Sequence, residues 1–325
     1  MEPARMPQLP LLDLHPAASD FRADVLAGLR AHPRKIAPMY FYDAEGSRLF
    51  DLICETDEYY PTRTELSILD DNMVEIVARL EDDPLIIEFG SGSSVKTRHL
   101  LDHLPRAAGY VPVDISRQHL MHSARELAQL YPDLEILPVC ADFTEPFEVP
   151  TPRREPSHRV VFFPGSTIGN FEPDGALSLL RTIRADGGER GGLLIGVDLK
   201  KDVKILEAAY DDAQGVTAAF NRNLLTRIQR ELGARLDVEG FTHRAHYDAE
   251  LGRVEMHLVA SGEQTIDIGD ERFVFADGES LHTESSHKYE VEEFAALAAE
   301  AGLRLDRVWT DARGWFSVQL YWVDA

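Results

Sequence analysis

The feature that most constrains the fold is a short apolar run that leads directly into a glycine-containing loop. Leu85–Phe89 does not alternate apolar and polar residues, as expected for a strand buried on both faces of a sheet. Gly90-Ser91-Gly92 follows, and a helix is predicted from about Val95 to Leu104. The segment therefore predicts the first strand–loop–helix unit of an α/β sheet.

The same rhythm of strand and helix continues along the chain. Further strands are predicted at Tyr110–Val113, Leu134–Val139, Val160–Phe163 and Leu193–Val197. Five strands that alternate with helices favour a doubly wound parallel sheet. Near the end of the chain a helix at about Glu290–Ala301 precedes two more strands, Leu303–Trp309 and Trp315–Val323. These two strands would complete a seven-stranded sheet of the Rossmann-like kind.

The remaining segments predict a second, smaller α+β domain. An amphipathic helix is expected at Ala18–Ala31, and a long helical stretch from about Val203 to Leu232. Another amphipathic helix, from about Leu66 to Leu80, leads into the strand Leu85–Phe89 and belongs to the first domain. Strand-like segments then follow one another at Thr242–Tyr247, Arg253–Ala260, Gln264–Ile268 and Arg272–Phe275. We therefore expect residues 61–200 and 287–325 to form one domain, and residues 1–60 and 201–286 to form the other.

Charge and composition exclude several classes of function. Lys and Arg number 33 against 56 Asp and Glu, a net charge of −23, and this surface repels a phosphate backbone. The two cysteines, Cys54 and Cys140, lie far apart and encode neither a disulfide scaffold nor a zinc site. Prolines interrupt the first residues where a signal peptide needs an apolar run, and no apolar run is long enough for a membrane span. We expect an unprocessed cytoplasmic monomer without nucleic-acid or membrane partners.

Acidic residues at strand ends indicate a nucleoside-containing cofactor. Asp114 ends the second strand, where a carboxylate accepts the hydroxyls of a ribose. Asp142 and Phe143 follow the third strand and are suited to an adenine amino group and ring. The dinucleotide pattern G-x-G-x-x-G is not met because residue 95 is Val. Together these residues favour S-adenosylmethionine in a class I methyltransferase fold over a pyrophosphate-bearing cofactor.

Six separated segments, in one order, carry a family resemblance that spans the chain from about residue 20 to the C-terminus. They are Tyr42–Asp51, Glu58–Glu65, Gly165–Asn170, Ala209–Asp212, Phe220–Asn223 and Thr283–Tyr289. They resemble the histidine Nα-methyltransferases of the ergothioneine pathway (EgtD-like). The resemblance implies a Rossmann-like domain that binds S-adenosylmethionine and a family-specific second domain that clamps L-histidine. It also implies three methylations of the α-amine, which give hercynine.

The resemblance also implies roles for individual residues. The α-amine would be surrounded by Tyr42, Gly165, Thr167 and Asn170, with Tyr42 and Asn170 as the catalytic pair, and the α-carboxylate would be held by Asn170 and Tyr210. The imidazole would be bound by Tyr59, Glu284 and Ser286, above Met256. The cofactor residues would be Gly90, Ser91, Gly92, Lys96, Asp114, Asp142 and Phe143. No metal site is expected, because the pairs His119/His122 and His243/His246 lack a third ligand in a recognisable pattern.

Two other functions remain open from the sequence. The first is methylation of another amino acid or of thiohistidine by the same fold. The second is a non-catalytic module that binds the cofactor or an amino acid. In the favoured function Glu284 gives selectivity rather than chemistry, because a buried carboxylate left unpaired by an apolar side chain penalises the wrong amino acid.

Overall fold

A computed structural model describes residues 9–14, 20–91 and 95–324 of the chain. The helices are α1 (Phe21–Arg30), α2 (Ala44–Glu55), α3 (Tyr60–Arg79), α4 (Val95–His103), α5 (Arg117–Leu130), α6 (Pro173–Gly187), α7 (Val203–Tyr210), α8 (Val216–Leu232) and α9 (Val291–Glu300). The strands are β1 (Leu12–Asp13), β2 (Arg34–Lys35), β3 (Leu85–Phe89), β4 (Gly109–Asp114), β5 (Val139–Cys140), β6 (Arg159–Phe163), β7 (Gly192–Asp198), β8 (Phe241–Asp248), β9 (Arg253–Ala260), β10 (Gln264–Ile268), β11 (Glu271–Phe275), β12 (Ser280–His287), β13 (Leu303–Thr310) and β14 (Phe316–Val323). Short 3-10 helices cover Pro38–Phe41 and Thr167–Asn170.

The largest sheet has eight strands in the order β1-β5-β4-β3-β6-β7-β14-β13. Strands β1 and β3 to β7 pair in parallel, and β14 is antiparallel to both β7 and β13. Apolar residues of α6 and α9 cover one face, while those of α3, α4 and α5 cover the other. Because both faces are covered, β3 and β7 are buried along their whole length. The predicted α/β class with a parallel-dominated sheet is confirmed.

The large sheet differs from the sequence-based expectation at one edge. Its eighth strand is β1, which pairs with β5, although residues 1–60 were expected in the second domain and seven strands were predicted. The predicted strand Leu134–Val139 is reduced to β5 and an isolated bridge at Ile136. Pro138 has no backbone N–H, so it donates nothing to the ladder between the Ile136 bridge and β5.

A second layer of structure is built around the four-stranded sheet β2-β12-β9-β8 and the hairpin β10-β11. Its apolar core also takes residues from α1, α2, α7 and α8. The long helix expected over residues 203–232 is two helices. The Asp212 carboxylate accepts from the backbone N–H groups of Val216 and Thr217, at 3.0 and 2.7 Å, and Gly215 has φ +73°. This capped turn ends α7 and begins α8.

Strand β12 was not expected from the sequence, because Ser280–His287 is mostly polar. It pairs antiparallel with β9 and in parallel with β2. It leads directly toward the large sheet, where Leu199, just after β7, forms a bridge with Tyr289. Among the helices of the described ranges, none has the length and apolar character needed to cross a bilayer.

Candidate active site

The carboxyl end of β3 provides a turn that requires glycine. Gly90 has φ +71°, a left-handed conformation that side chains rarely adopt. A Cβ placed there would lie 3.9 Å from Phe143. The Phe143 ring stacks on Phe89 with centroids 5.3 Å apart, so the turn and the aromatic ring predicted for the cofactor lie side by side. Ser91 is buried, and Gly92 lies outside the described residues.

Two predicted cofactor carboxylates lie at neighbouring strand ends. Asp114 closes β4 and accepts from the backbone N–H of Ser116 at 2.7 Å, and burial raises the pKa of its carboxyl group. Asp142 follows β5 and accepts from the backbone N–H and hydroxyl of Thr144 at 2.9 and 2.7 Å. In both bonds of Asp142 the acceptor is Oδ1. Local hydrogen bonds of this kind hold each of the two carboxylates in position within its own loop.

Glu88 is a buried carboxyl group beneath the Gly90 turn. Its Oε2 accepts from the hydroxyl groups of Thr97 and Tyr110, each at 2.6 Å. Burial outweighs these bonds and raises its pKa to about 7. Glu88 therefore links β3 to α4 and β4 by hydrogen bonds next to the Gly90 turn.

Glu65 of α3 links the predicted cofactor and substrate residues. Its carboxylate is 1% exposed, pairs with Lys96 and accepts from the backbone N–H of Gly165 at 2.9 and 3.0 Å. Gly165 has φ +84°, so this turn also needs glycine. A Cβ at Gly196 would lie 2.0 Å from Glu65, which shows how closely the carboxylate packs on β7. Glu65 was part of a motif but was assigned no role from the sequence.

The turn Thr167–Asn170 is docked directly against β12. A Cβ at Gly169 would lie 2.7 Å from the backbone oxygen of His287, and the Thr167 hydroxyl donates to Pro164 O at 3.3 Å. Glu172, two residues after the end of this turn, accepts from Arg253 of β9 at 2.6 and 2.7 Å. These contacts place Asn170 at the junction between the large sheet and the second sheet.

A β-bulge sets the direction of Glu284. The pairing of β12 with β9 shifts between His282 and Glu284, so that Thr283 is the extra residue. Thr283 donates to the side-chain oxygen of Asn221 at 2.8 Å. Glu284 pairs with Met256, which is 2% exposed, and these two side chains therefore lie on the buried face of the sheet.

Aromatic rings line the approach to Glu284. The Phe50 ring lies 5.6 Å from Tyr42 and 6.1 Å from Tyr59, and the Tyr59 ring lies 6.3 Å from Tyr210. Burial raises the pKa of Tyr59, with smaller effects from Tyr210 and Glu284 among others. Tyr42 is 45% exposed, so part of its ring faces solvent at the edge of this group. The structure thus brings the predicted residues Tyr42, Tyr59 and Tyr210 together.

A buried charged network lies behind Tyr210 and Ser286. The Tyr210 hydroxyl donates to Ser286 Oγ at 2.8 Å, and the Lys288 ammonium donates to both oxygens at 2.8 Å. Lys288 also pairs with Asp198 at 2.9 Å, and Asp198 pairs with Lys201 at 2.6 Å. Burial raises the pKa of Asp198, but the two ammonium groups outweigh it and lower the pKa below its ordinary value.

Glu284 itself has an unusual environment. It is 8% exposed, and no side chain within the described segments donates a hydrogen bond to its carboxylate. Burial raises its pKa to about 7, although Lys288 opposes this rise. A buried carboxyl group that accepts no hydrogen bond is costly. It is therefore a strong candidate for binding a ligand N–H.

The raised pKa predicts how Glu284→Gln changes stability with pH. Unfolding returns the carboxyl group to an ordinary pKa near 4.5, so the unfolded state loses its proton first and wild-type stability falls from about pH 4.5 to 7. Glutamine carries no such charge. We expect the variant to equal wild type below pH 5 and to be more stable at pH 8, by on the order of 3 kcal/mol. Urea unfolding at several pH values measures this difference.

The exposed Glu300→Gln variant is the control for that series, since its side chain is open to water in the folded protein. Its difference from wild type should not grow over the same range. Parallel pH curves for wild type and Glu284→Gln would contradict the assignment of Glu284 as a buried, unpaired carboxyl group.

A separate histidine cluster lies on the outer face of the second sheet. His246, Glu255 and His257 each offer one ligand atom within 4.8 Å of one another. Arg253, however, donates to Glu255 at 2.6 and 2.8 Å, and His257 contacts it at 2.8 Å. Although burial raises the pKa of Glu255, these bonds lower it to about 2. The charge of this carboxylate is already balanced by the Arg253 guanidinium. The expected absence of a metal site stays a prediction.

Comparison with known proteins decides the family. Residues 21–323 match the family described as "Histidine-specific methyltransferase, SAM-dependent". The chain belongs to this family. It is 44% identical over 311 residues to the histidine N-alpha-methyltransferase of Mycolicibacterium smegmatis. The aligned region covers 94% of this chain and 95% of that protein. It is 41% identical to the protein of the same name from Mycobacterium tuberculosis, over 92% of this chain and 94% of that protein.

A more distant relative matches this chain over only part of its own length. Ergothioneine biosynthesis protein 1 of Schizosaccharomyces pombe is 29% identical over 81% of this chain but only 36% of its own length. The family match and these relatives confirm the predicted family. They also confirm the prediction that the chain is an enzyme, an S-adenosylmethionine-dependent methyltransferase.

Three site residues were not predicted from the sequence. Lys288 and Glu65 belong to the segments that carry the family resemblance, but neither was assigned a role. Asp198 was only the residue that follows a predicted strand. A usable signal existed for Asp198, because it occupies the same position after its buried strand as Asp114 does after β4. His243 and His246 do not act together. His243 is buried beneath Tyr210, whereas His246 belongs to the cluster on the outer face.

Proposed function

We propose that this chain transfers the methyl group of S-adenosylmethionine to the α-amine of L-histidine, three times in succession, to give hercynine for ergothioneine synthesis. The observation that carries the proposal is the pair formed by Glu284 and Ser286 on one strand. Glu284 is a buried, unpaired acceptor, and Ser286 lies two residues further along the same buried face. An imidazole has two ring nitrogens that suit such a pair. Two relatives with the printed name histidine N-alpha-methyltransferase support this substrate.

On the cofactor side, we propose that the ends of β3, β4 and β5 hold the nucleoside part. Asp114 is placed for the ribose hydroxyls, and Asp142 with Phe143 for the adenine amino group and ring. Gly90 has no side chain and adopts the left-handed conformation of the turn, so the backbone there can approach the ligand closely. Lys96 pairs with Glu65, and its ammonium group would lie 3.5 Å from a Cβ placed at Gly165. From there it would face the amino-acid part of the cofactor.

The chemistry asks the protein mainly to position a neutral amine. When bound, the cofactor sulfonium supplies an electrophilic methyl group for an in-line displacement. Tyr42 and Asn170 would orient the amine lone pair toward it, and Tyr210 would help Asn170 to hold the α-carboxylate. Placing two reactants in this way contributes most of the acceleration in such reactions. The proton leaves to water before each round, so no strong general base is needed.

The aromatic rings suit the product as well as the substrate. Each methylation increases bulk and ends in a quaternary ammonium with a fixed positive charge. Tyr42 and Phe50, whose rings lie 5.6 Å apart in an edge-to-face arrangement, would attract that charge through cation–π interactions. Tyr59 and Met256 would line the imidazole pocket.

We further propose the two-domain division at residues 61–200 with 287–325, and 1–60 with 201–286, except that β1 joins the large sheet. A cytoplasmic monomer without nucleic-acid or membrane partners also stays a proposal. Methylation of another amine or of thiohistidine remains the second candidate, because the residues around the amine do not depend on the side chain. A non-catalytic binding module is less favoured, since the chain belongs to an enzyme family.

Mass spectrometry tests the proposal directly. The purified protein is incubated at pH 8 with S-adenosylmethionine and, in separate reactions, with each amino acid and with thiohistidine. We expect a gain of three methyl groups on histidine alone, with fragmentation placing them on the α-nitrogen. A product from another amine would overturn the substrate assignment, and no product from any amine would favour the binding module.

A further inference from the structure

A chain of buried hydrogen bonds runs from the bulge beside Glu284 to the end of α7. Thr283 of β12 donates to the side-chain oxygen of Asn221 at 2.8 Å. The amide nitrogen of Asn221 lies 2.9 Å from Nδ1 of His243, and Nε2 of His243 lies 2.8 Å from the backbone oxygen of Tyr210. Thr283, Asn221 and His243 are all buried, and we call these three side chains the buried link.

Two backbone carbonyl groups fix the protons of Asn221 and His243, because a carbonyl oxygen only accepts. The Asn221 amide nitrogen also donates to the backbone oxygen of His257 at 3.1 Å, and this contact sets which way the amide faces. The same nitrogen faces Nδ1 of His243, so Nδ1 has to accept. At the other end of the ring, the Tyr210 carbonyl requires an N–H on Nε2. His243 is therefore the neutral ring with its proton on Nε2.

The imidazolium form of His243 does not fit the buried link. A second ring proton on Nδ1 would point at the Asn221 amide nitrogen, which has no lone pair to receive it. The charged side chains that face His243 are Asp211 and Asp212, from the turn after α7, and Arg222 of α8. The two carboxylates favour a cation, but burial, together with a smaller effect of Arg222, outweighs them and lowers the pKa of the ring.

The two ends of the buried link carry the two proposed anchor points of the substrate. Thr283 is the bulge residue directly before Glu284, which is proposed to bind the imidazole. Tyr210, whose backbone oxygen accepts from the other end, is proposed to hold the α-carboxylate. The buried link uses only the backbone of Tyr210, so it does not compete with the ligand for the hydroxyl group.

We propose that Asn221 and His243 are positioning residues that hold Tyr210 at a fixed separation from Glu284, and that this separation selects the length of the substrate side chain. The inference rests on the proposed function and deepens it. It defines the substrate class as α-amino acids whose imidazole is one methylene group from the α-carbon. A ligand gains from two anchors only when its own length matches their separation, because a mismatch loses one of the contacts.

Three ligands separate the anchors from the spacing between them. L-Histidine reaches both anchors, L-homohistidine carries one more methylene group, and histamine lacks the carboxylate. Dissociation constants are measured by calorimetry at pH 8 with S-adenosylhomocysteine present. In the wild-type protein we expect histidine to bind at least about tenfold more tightly than homohistidine. Equal affinities for these two ligands would overturn the selection of length.

Two variants cut the buried link at opposite ends. Thr283→Val keeps the shape of the side chain but removes the hydroxyl group, which also lies 3.0 Å from the backbone oxygen of Met256. His243→Phe removes both ring nitrogens. We expect each variant to weaken histidine binding on the order of tenfold and histamine binding by no more than about twofold, since histamine does not use Tyr210. The preference for histidine over homohistidine should shrink by a similar factor.

Thr283→Ser is the matched control, because it keeps the hydroxyl group and loses only a methyl group. It should retain both the affinity for histidine and the preference over homohistidine. Since Thr283→Val and His243→Phe act at different ends, either one is sufficient if the other does not fold. A folded variant that weakens histidine and histamine equally, or neither of them, would overturn the positioning role.

Nitrogen NMR of protein labelled at its histidines reads the buried link without any ligand. The signals of His243 are assigned by their absence from His243→Phe. At pH 7 we expect one protonated and one unprotonated ring nitrogen, with the proton on Nε2. An imidazolium at this pH, or a neutral ring with its proton on Nδ1, would overturn the arrangement of the buried link.

These outcomes are distinct from failure of the proposed function. Methylation of histidine by the wild-type protein is read by mass spectrometry, whereas the buried link is read by binding without turnover. A protein that methylates histidine, but whose folded Thr283→Val variant loses affinity for histidine and histamine equally, keeps the function and loses the inference.

Discussion

Replacing Glu284 by alanine should lower kcat/KM for histidine by at least about 10²-fold and relax selectivity toward phenylalanine and tryptophan. The loss should arise mainly in KM, because in the proposed site the carboxylate contacts the imidazole and not the reacting amine. A site built to hydrogen-bond a substrate rejects analogues that lack the group, since its own buried polar atom is then left unpaired. In wild type that atom is the Glu284 carboxylate, which is 8% exposed. The alanine variant removes the penalty together with the contact.

Competition assays with equimolar amino acids measure both effects at once. Glu284→Gln is the matched variant, because it keeps the size of the side chain and one acceptor oxygen. We expect it to bind histidine more weakly than wild type and to remain more selective than Glu284→Ala. Histidine kinetics unchanged in Glu284→Ala would remove Glu284 from the imidazole site.

The second large effect concerns stability. Asp198→Ala removes the carboxylate that pairs with Lys201 at 2.6 Å and Lys288 at 2.9 Å and accepts from Tyr60 at 2.8 Å. Both ammonium groups are almost fully buried and would lose their counter-charge. Breaking a buried ion pair from one side costs about 3–5 kcal/mol, because the remaining charge stays uncompensated. We expect the free energy of unfolding to fall by this amount.

Denaturant unfolding at pH 7.5 measures the change. The control is Asp82→Ala, whose partner Arg106 lies at 3.3 Å in a mostly exposed pair. Exposed pairs contribute about 0–1 kcal/mol, so the control should lie close to wild type. A loss below about 1 kcal/mol for Asp198→Ala would mean that the network around Lys288 is not the buried charge cluster described above.

The large sheet was predictable because its signals are local. Leu85–Phe89 is a continuous apolar run, and Asp114 follows a similar strand, so periodicity alone places both at one sheet edge. The prediction of element boundaries was wrong where a single residue interrupts the apolar pattern. Pro138 removes a ladder donor and shortens β5, and the cap at Asp212 divides one apparent helix into two.

The substrate side was less predictable because it depends on long-range pairing. The direction of Glu284 follows from the bulge at Thr283, which exists only because β12 pairs with β9 and Thr283 bonds to Asn221. Polar residues such as those of β12 do not predict a strand by periodicity. Lys288 meets Asp198 only through the junction of the two sheets, 90 residues apart along the chain. The family resemblance implied an imidazole-binding role for Glu284 and Ser286, whereas the contacts that orient them required the fold.

A crystal structure with L-histidine and S-adenosylhomocysteine bound is the most direct test of the proposed site. We predict the imidazole between Glu284 and Ser286, with each ring nitrogen about 3 Å from its partner oxygen. We also predict the α-amine beside the Thr167–Asn170 turn, on the side of Asp114 and the bound nucleoside. Histidine seated with its imidazole away from Glu284, or with its α-amine turned from that strand-end site, would contradict the proposed function.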